Sequence, residues 1–209
     1  MSNTIAGIQI PDSALARAAT EYIRDVESDL LYHHSRRVFL FGASGRSEER
    51  RVGIYIGAMF HDLGLVEGLR SDNDRFEVDG ANAAKAFMQP YGLSDDDIEQ
   101  VWLSIALHTT PGVPQYLRPT VALVTAGVEM DVLGMDYAAF PTAQREAVVH
   151  AHPRGEGFKE CIICAFADGL RHRPQTTFGN VKTDVLKDKD TSFKPMNFVE
   201  VIRRSPWAE

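Results

Sequence analysis

At 209 residues, with 44% hydrophobic and 24% charged residues, the chain has the size and composition of one globular domain with a sizeable core. Its formal net charge of −7 argues against a nucleic-acid backbone or an anionic membrane as the main partner, and leaves a small molecule as the expected one. No run approaches the ~18 consecutive apolar residues of a membrane span, and Met1-Ser2-Asn3-Thr4 lacks the basic and apolar regions of a signal peptide.

In chain order, Pro11-Asp12-Ser13 is a helix start, and Leu15, Ala19, Tyr22, Ile23 and Val26 follow at helical spacing. Leu30 to Phe41 forms a second helix, ended by Gly42. Gly45 to Glu49 reads as a turn opening a third helix that runs to His61-Asp62, and Gly64 to Arg75 is a polar loop. An Ala-rich helix follows Phe76 and ends at Tyr91-Gly92. Ser94-Asp-Asp-Asp97 resembles a capping box and opens a helix that Thr109 to Gly112 stops after His108. Pro119 starts an apolar helix from Val121 to Leu133, stopped by Gly134. Two more helices cover Thr142 to His150 and Gly157 to about His172, and Pro195 to Arg203 has the pattern of a last short one.

Nothing alternates with the period of two that a half-buried sheet requires. The expectation is a single all-α domain over 1–209, a bundle of roughly eight or nine helices. Its core spans about 12–175, and the tail over 176–209 is irregular. Cys161 and Cys164 lie inside an apolar helical pattern with no second Cys or His pair nearby, so they are expected as buried structural thiols in a reducing, cytoplasmic compartment.

The chemistry concentrates in Ala58-Met59-Phe60-His61-Asp62-Leu63-Gly64. An imidazole and a carboxylate side by side at the end of an apolar helix are costly to bury without partners. Neighbouring helical residues point about 100° apart, so the two can share a ligand where the last turn loosens before a Gly. A divalent transition metal is the natural shared ligand for a neutral nitrogen and an anionic oxygen. His34, inside another apolar helix, and Asp131, inside a third, complete a candidate His₂Asp₂ set drawn from three helices.

The order H…HD…D resembles that of the HD-domain superfamily of metal-dependent enzymes. Tyr32 to Val38, Ala58 to Gly64, Arg75 to Ala81, Trp102 to Thr109 and Gly127 to Gly134 further resemble its cyanamide hydratase branch. The resemblance implies a single HD-domain helical bundle with His34, His61, Asp62 and Asp131 as metal ligands. His34, rather than His33, occupies the block position before Ser35. Zinc is the implied ion, although the ligand set also accepts Fe, Mn, Co or Ni. Only His108 lies between the His-Asp pair and Asp131, which favours one metal over two.

The implied reaction is hydration of a small C≡N compound, as in cyanamide to urea, with Asp62 orienting or relaying a proton of the attacking water. His108 reads either as a helix-terminal imidazole on the dipole or as a catalytic group that transfers a proton. Phe60, Trp102 and Thr109, with Phe76, are expected to wall the substrate pocket. Glu77 is expected either as a helix cap or as a hydrogen-bond partner of a ligand histidine. His150 and His152 are expected at the surface. The rival enzyme is a phosphohydrolase, which needs Arg37 or Arg75 to hold phosphate; a metal- or ligand-binding module without turnover is the third reading. A homodimer is the commonest closed assembly and is the expectation if the chain self-associates.

Overall fold

The computed structural model describes residues 4–44 and 51–197. Among them are nine α-helices: α1 Ala14–Val26, α2 Asp29–Gly42, α3 Arg51–Phe60, α4 Phe76–Met88, α5 Asp95–Ala106, α6 Pro119–Val128, α7 Thr142–Ala151, α8 Phe158–Leu170 and α9 Lys182–Lys189. The all-α expectation holds. The one sheet among the described residues pairs Thr4–Ile5 with Ile8–Gln9 antiparallel. Its turn places Ala6 and Gly7 at positive φ, and two residues per strand leave no alternation for the sequence to show.

Hydroxyl caps set the helix starts. Ser13 accepts from Ala16 N at 3.2 Å and Ser94 from Asp97 N at 3.1 Å, as expected. Ser28 caps α2 in the same way. Three aspartates in the first turn of α5 add a favourable charge at the positive end of its dipole.

Helix α3 is apolar on every side, and such a helix belongs at the centre of a bundle. Ile54 through Phe60 are all buried, and α3 packs against α1, α2, α4, α5 and α6. A polar pair placed just after its last residue is therefore buried by the architecture.

Helices α2 and α6 cross at backbone contact. A Cβ on Gly127 would stand 2.2 Å from Val38 O, and one on Gly42 would stand 2.4 Å from Leu123 O. This crossing fixes where the chain after Val128 meets the face of α2 that carries His34 and Arg37.

Three expectations are corrected. The chain after 176 is not irregular throughout: Pro174–Thr177 forms a 3-10 turn and α9 packs on α8, burying Leu186 and Lys182. Cys161 and Cys164 are exposed, because the buried face of α8 is made by Phe158, Ile162 and Leu170. His152 is buried against α2 rather than at the surface: Arg36 Nε donates to its Nε2 at 3.4 Å and His33 Nδ1 lies 3.2 Å from its Nδ1. The expected turn at 45–49 and most of the expected helix at 195–203 lie outside the described residues. Among the described residues, no helix is long and apolar enough to cross a membrane.

Two outcomes are expected. Gly127→Ala should destabilise the fold by about 1–3 kcal/mol, the usual cost of overpacking, despite the better helix propensity of Ala; thermal unfolding measures it. Burial and the neighbouring Arg36 push the His152 pKa down to about 3. Its unfolded value is about 6.5, so the unfolded chain takes the proton first, and stability falls as pH drops below about 6.5. His152→Gln should flatten that fall in urea titrations compared between about pH 7.5 and pH 5.

Candidate metal centre

Asp62 follows the end of α3 with φ −101° and ψ 2°, outside helical geometry and just before the 3-10 turn Leu63–Leu65. This break lets His61 and Asp62 converge despite being neighbours. His34 faces them from α2. His61 Nε2 lies 3.1 Å from His34 Nε2 and 3.3 Å from Asp62 Oδ2, while His34 Nε2 lies 3.6 Å from the same oxygen. All three side chains are 0% exposed. Their three donor atoms lie within 4.8 Å of one another.

The opposite ring nitrogens explain why these atoms are lone pairs. His61 Nδ1 lies 2.8 Å from Ala58 O, a carbonyl freed at the end of α3. A carbonyl only accepts, so Nδ1 carries a proton, and in the neutral ring Nε2 is the lone-pair nitrogen. His108, just past α5, repeats the arrangement, with Nδ1–H donating to Ile105 O at 2.7 Å. His34 Nδ1–H donates to Asp131 Oδ2 at 2.7 Å. Three imidazoles thus turn toward one carboxylate the Nε2 atoms that are lone pairs in the neutral rings, with His108 Nε2 3.6 Å from Asp62 Oδ1.

Among the described residues, no hydroxyl, ammonium or guanidinium group donates into that centre, and both oxygens of Asp62 and Nε2 of His108 are buried without a hydrogen-bond partner. Burial opposes ionisation of Asp62, yet the surrounding imidazoles outweigh it and hold its carboxyl well below the usual range. Burial likewise disfavours a charged His61, and the Asp62 charge more than offsets this, so its pKa is raised. Burial lowers that of His34. A buried anion ringed by lone pairs is costly unless a cation joins it. Two neutral nitrogens and one carboxylate oxygen fit a divalent transition metal, and the cluster of His34, His61 and Asp62 can hold one.

No family model matches the chain, and no curated protein matches it. The centre is therefore argued from its own geometry.

Asp131, expected as a fourth ligand, stands outside that cluster of three and is held by partners of its own. Oδ1 accepts from Arg37 Nε at 2.8 Å and Arg154 Nη1 at 2.6 Å. Oδ2 accepts from Arg37 Nη2 at 2.9 Å and from His34. A carboxylate offers about four acceptor sites, and all are filled. Burial would raise its pKa, but His34 and Arg37 hold it well below the ordinary range. Asp131 instead fixes the tautomer and ring orientation of His34 from behind. Its position follows from a π-helical turn, Glu129–Leu133, which rotates residues away from their α-helical directions.

The expected pocket walls are also redistributed. Phe60 is core, its ring 5.1 Å from Phe87 and 5.9 Å from Tyr22. Trp102 donates to Asn82 Oδ1 at 2.9 Å across α4 and α5. The rings that do touch the site are Phe76, 5.6 Å from His108, and Phe158, 6.1 Å from His34. Thr109 donates to Glu77 Oε1. Glu77 neither caps α4 nor bonds a histidine; it accepts from Arg75 Nη2 at 2.9 Å and from Lys182 Nζ. Burial opposes its ionisation, but Lys182 and Arg75 bring its pKa down to about 2.

Arg154, Lys182 and Glu27 escaped the sequence reading. Glu27, between α1 and α2, is buried with Ser35 Oγ 3.4 Å away, and burial and the charge of Asp62 raise its carboxyl well above the usual range. For Lys182 a signal existed, since Val185 and Leu186 follow it at helical spacing in the tail.

His61→Ala should abolish metal binding, whereas Asp131→Asn should weaken it by about 10- to 100-fold, as loss of an orienting partner does. Metal titration of the folded variants separates the roles: equal abolition would make Asp131 a ligand.

Proposed function

We propose that this protein is a divalent-metal-dependent hydratase acting on a small C≡N compound, of the cyanamide-to-urea type, and an HD-domain enzyme of the branch its motifs resemble. The observation that carries the reading is the convergence of His34, His61 and His108 Nε2 atoms on Asp62, whose two buried oxygens have no hydrogen-bond partner among the described residues. Zinc is the proposed ion, consistent with a nitrogen and oxygen donor set. When bound by His34, His61 and Asp62, the cation supplies Lewis-acid polarisation and lowers the pKa of water.

The remaining chemistry belongs to the side chains. His108 Nε2, unprotonated and free of partners, is placed to take a proton from the attacking water and return it to the substrate nitrogen. Ile105 O holds the ring in the tautomer this requires. Water oxygen adds to the nitrile carbon, one C–N π pair moves to nitrogen, and nitrogen gains the proton. The resulting isourea shifts its O–H proton to nitrogen and becomes urea. Phe76 and Phe158 exclude bulk water beside the two histidines.

The ion pairing near the centre supports a neutral substrate over a phosphate ester. A phosphohydrolase needs cations free to hold phosphate oxygens. Arg37 and Arg154 are both committed to Asp131, and Lys182 and Arg75 to Glu77. The burial of the histidines and Asp62 favours a substrate of few atoms.

Urea formation from cyanamide, run beside phosphate release from a nucleotide panel, tests the reading on metal-loaded protein. Urea release is expected; phosphate release, or neither product at full metal occupancy, would overturn it. His108→Gln should keep its metal and lose about 10²–10⁴-fold in kcat, the usual contribution of a positioned acid–base group.

A further inference from the structure

Glu77 is 0% exposed and uses its two oxygens unequally. Oε1 accepts from Arg75 Nη2, Lys182 Nζ and Thr109 Oγ1. Oε2 is buried and accepts from no group among the described residues. Donors are close at hand and all sit on one side: Lys182 Nζ and Arg75 Nη2 also reach Thr109 Oγ1, at 3.3 and 3.5 Å. Leaving a charged buried acceptor unpaired costs about 1–3 kcal/mol or more, so Oε2 is suited to accept from a further donor.

The neighbourhood says which ligand is concerned. Thr109 follows His108 in the chain, and Phe76, which precedes Glu77, packs on the His108 ring. Lys182 reaches the cluster from α9, 1% exposed and 5.4 Å from the Phe76 ring. Arg75, at 35% exposure, connects the cluster to solvent. A buried ion pair is a poor device for stability alone, and this one keeps an anionic acceptor charged beside the catalytic imidazole.

We propose that Glu77 Oε2 is a specificity element that accepts an N–H of the ligand, so that the site selects small compounds carrying an amino or amide group over apolar ones of the same shape. This deepens the hydratase reading and rests on it. Lys182, Arg75 and Thr109 act on the ligand only through Glu77 and are positioning residues.

The proposal makes the isosteric variant sharper than a deletion. In Glu77→Gln the three donors at Oε1 require the amide oxygen there, which puts an NH₂ in the place of Oε2. An acceptor becomes a donor with almost no change of shape.

Urea and acetone share a heavy-atom skeleton and differ in N–H groups, so ligand-observed NMR titrations of both into zinc-loaded protein read the element directly. Wild type should prefer urea by about tenfold or more, the worth of a hydrogen bond to a charged group. Glu77→Gln should bring the ratio near one with zinc content unchanged. Should that variant not fold, Glu77→Asp keeps the charge that Lys182 faces, withdraws the oxygen by one methylene, and should lose the preference too. No preference in wild type, or a preference retained in either folded variant, overturns the proposal. Turnover takes no part in the readout: protein that prefers urea in this way yet hydrates no cyanamide would refute the reaction and keep the subsite.

Discussion

A carboxylate in a dry interior must be neutralised, and this bundle neutralises its buried acids in different ways. Asp131 is saturated by two guanidinium groups and an imidazole. Glu77 is saturated on one oxygen only. Asp62 meets ring nitrogens and has no hydrogen-bond partner among the described residues. This gradation separates structure from function within one small volume. The saturated acid holds a histidine, the unsaturated one lies in a cluster that can hold a metal ion, and the half-satisfied one keeps one oxygen unpaired among the described residues. The fold supports it by making α3 the central helix, so that whatever follows Phe60 is dry.

The same logic explains the three ring orientations. Two of the histidines sit three residues beyond a carbonyl that a helix end has released, a local solution that depends only on where α3 and α5 stop. The third sits mid-helix, where every carbonyl is occupied, and needs a carboxylate from another part of the chain. Asp131 supplies it across the tight glycine crossing of α2 and α6.

Much of this was legible in the sequence. Cap residues such as Ser13 and Ser94 marked helix starts because a hydroxyl before an apolar periodic run has one obvious use. The His61-Asp62 pair stood out because it ended an all-apolar helix, and the structure brings both to His34. Asp131 was recognised as needing a partner, but the partners it finds were not, since a π turn and two arginines distant in sequence leave no periodic trace. Phe60 and Trp102 illustrate a related limit: an aromatic beside a functional residue is distinguished from core only by which way its helix turns. The cysteines failed for the same reason, lying on the outer face of α8. Lys182 was hidden by a polar tail whose few apolar residues suffice to dock α9.

The reach of that lysine bears on how the site matures. Glu77 and Lys182 are 105 positions apart, so their union is among the longest-range contacts in the chain. During synthesis His34, His61, Asp62, His108 and Asp131 all leave the ribosome before α9 does. Closing so wide a loop is entropically slow. Until the last described helix arrives, Glu77 of a nascent bundle has Arg75 and Thr109 as partners and lacks Lys182. The order of synthesis separates the gathering of the imidazoles from the completion of the ion pairing around Glu77.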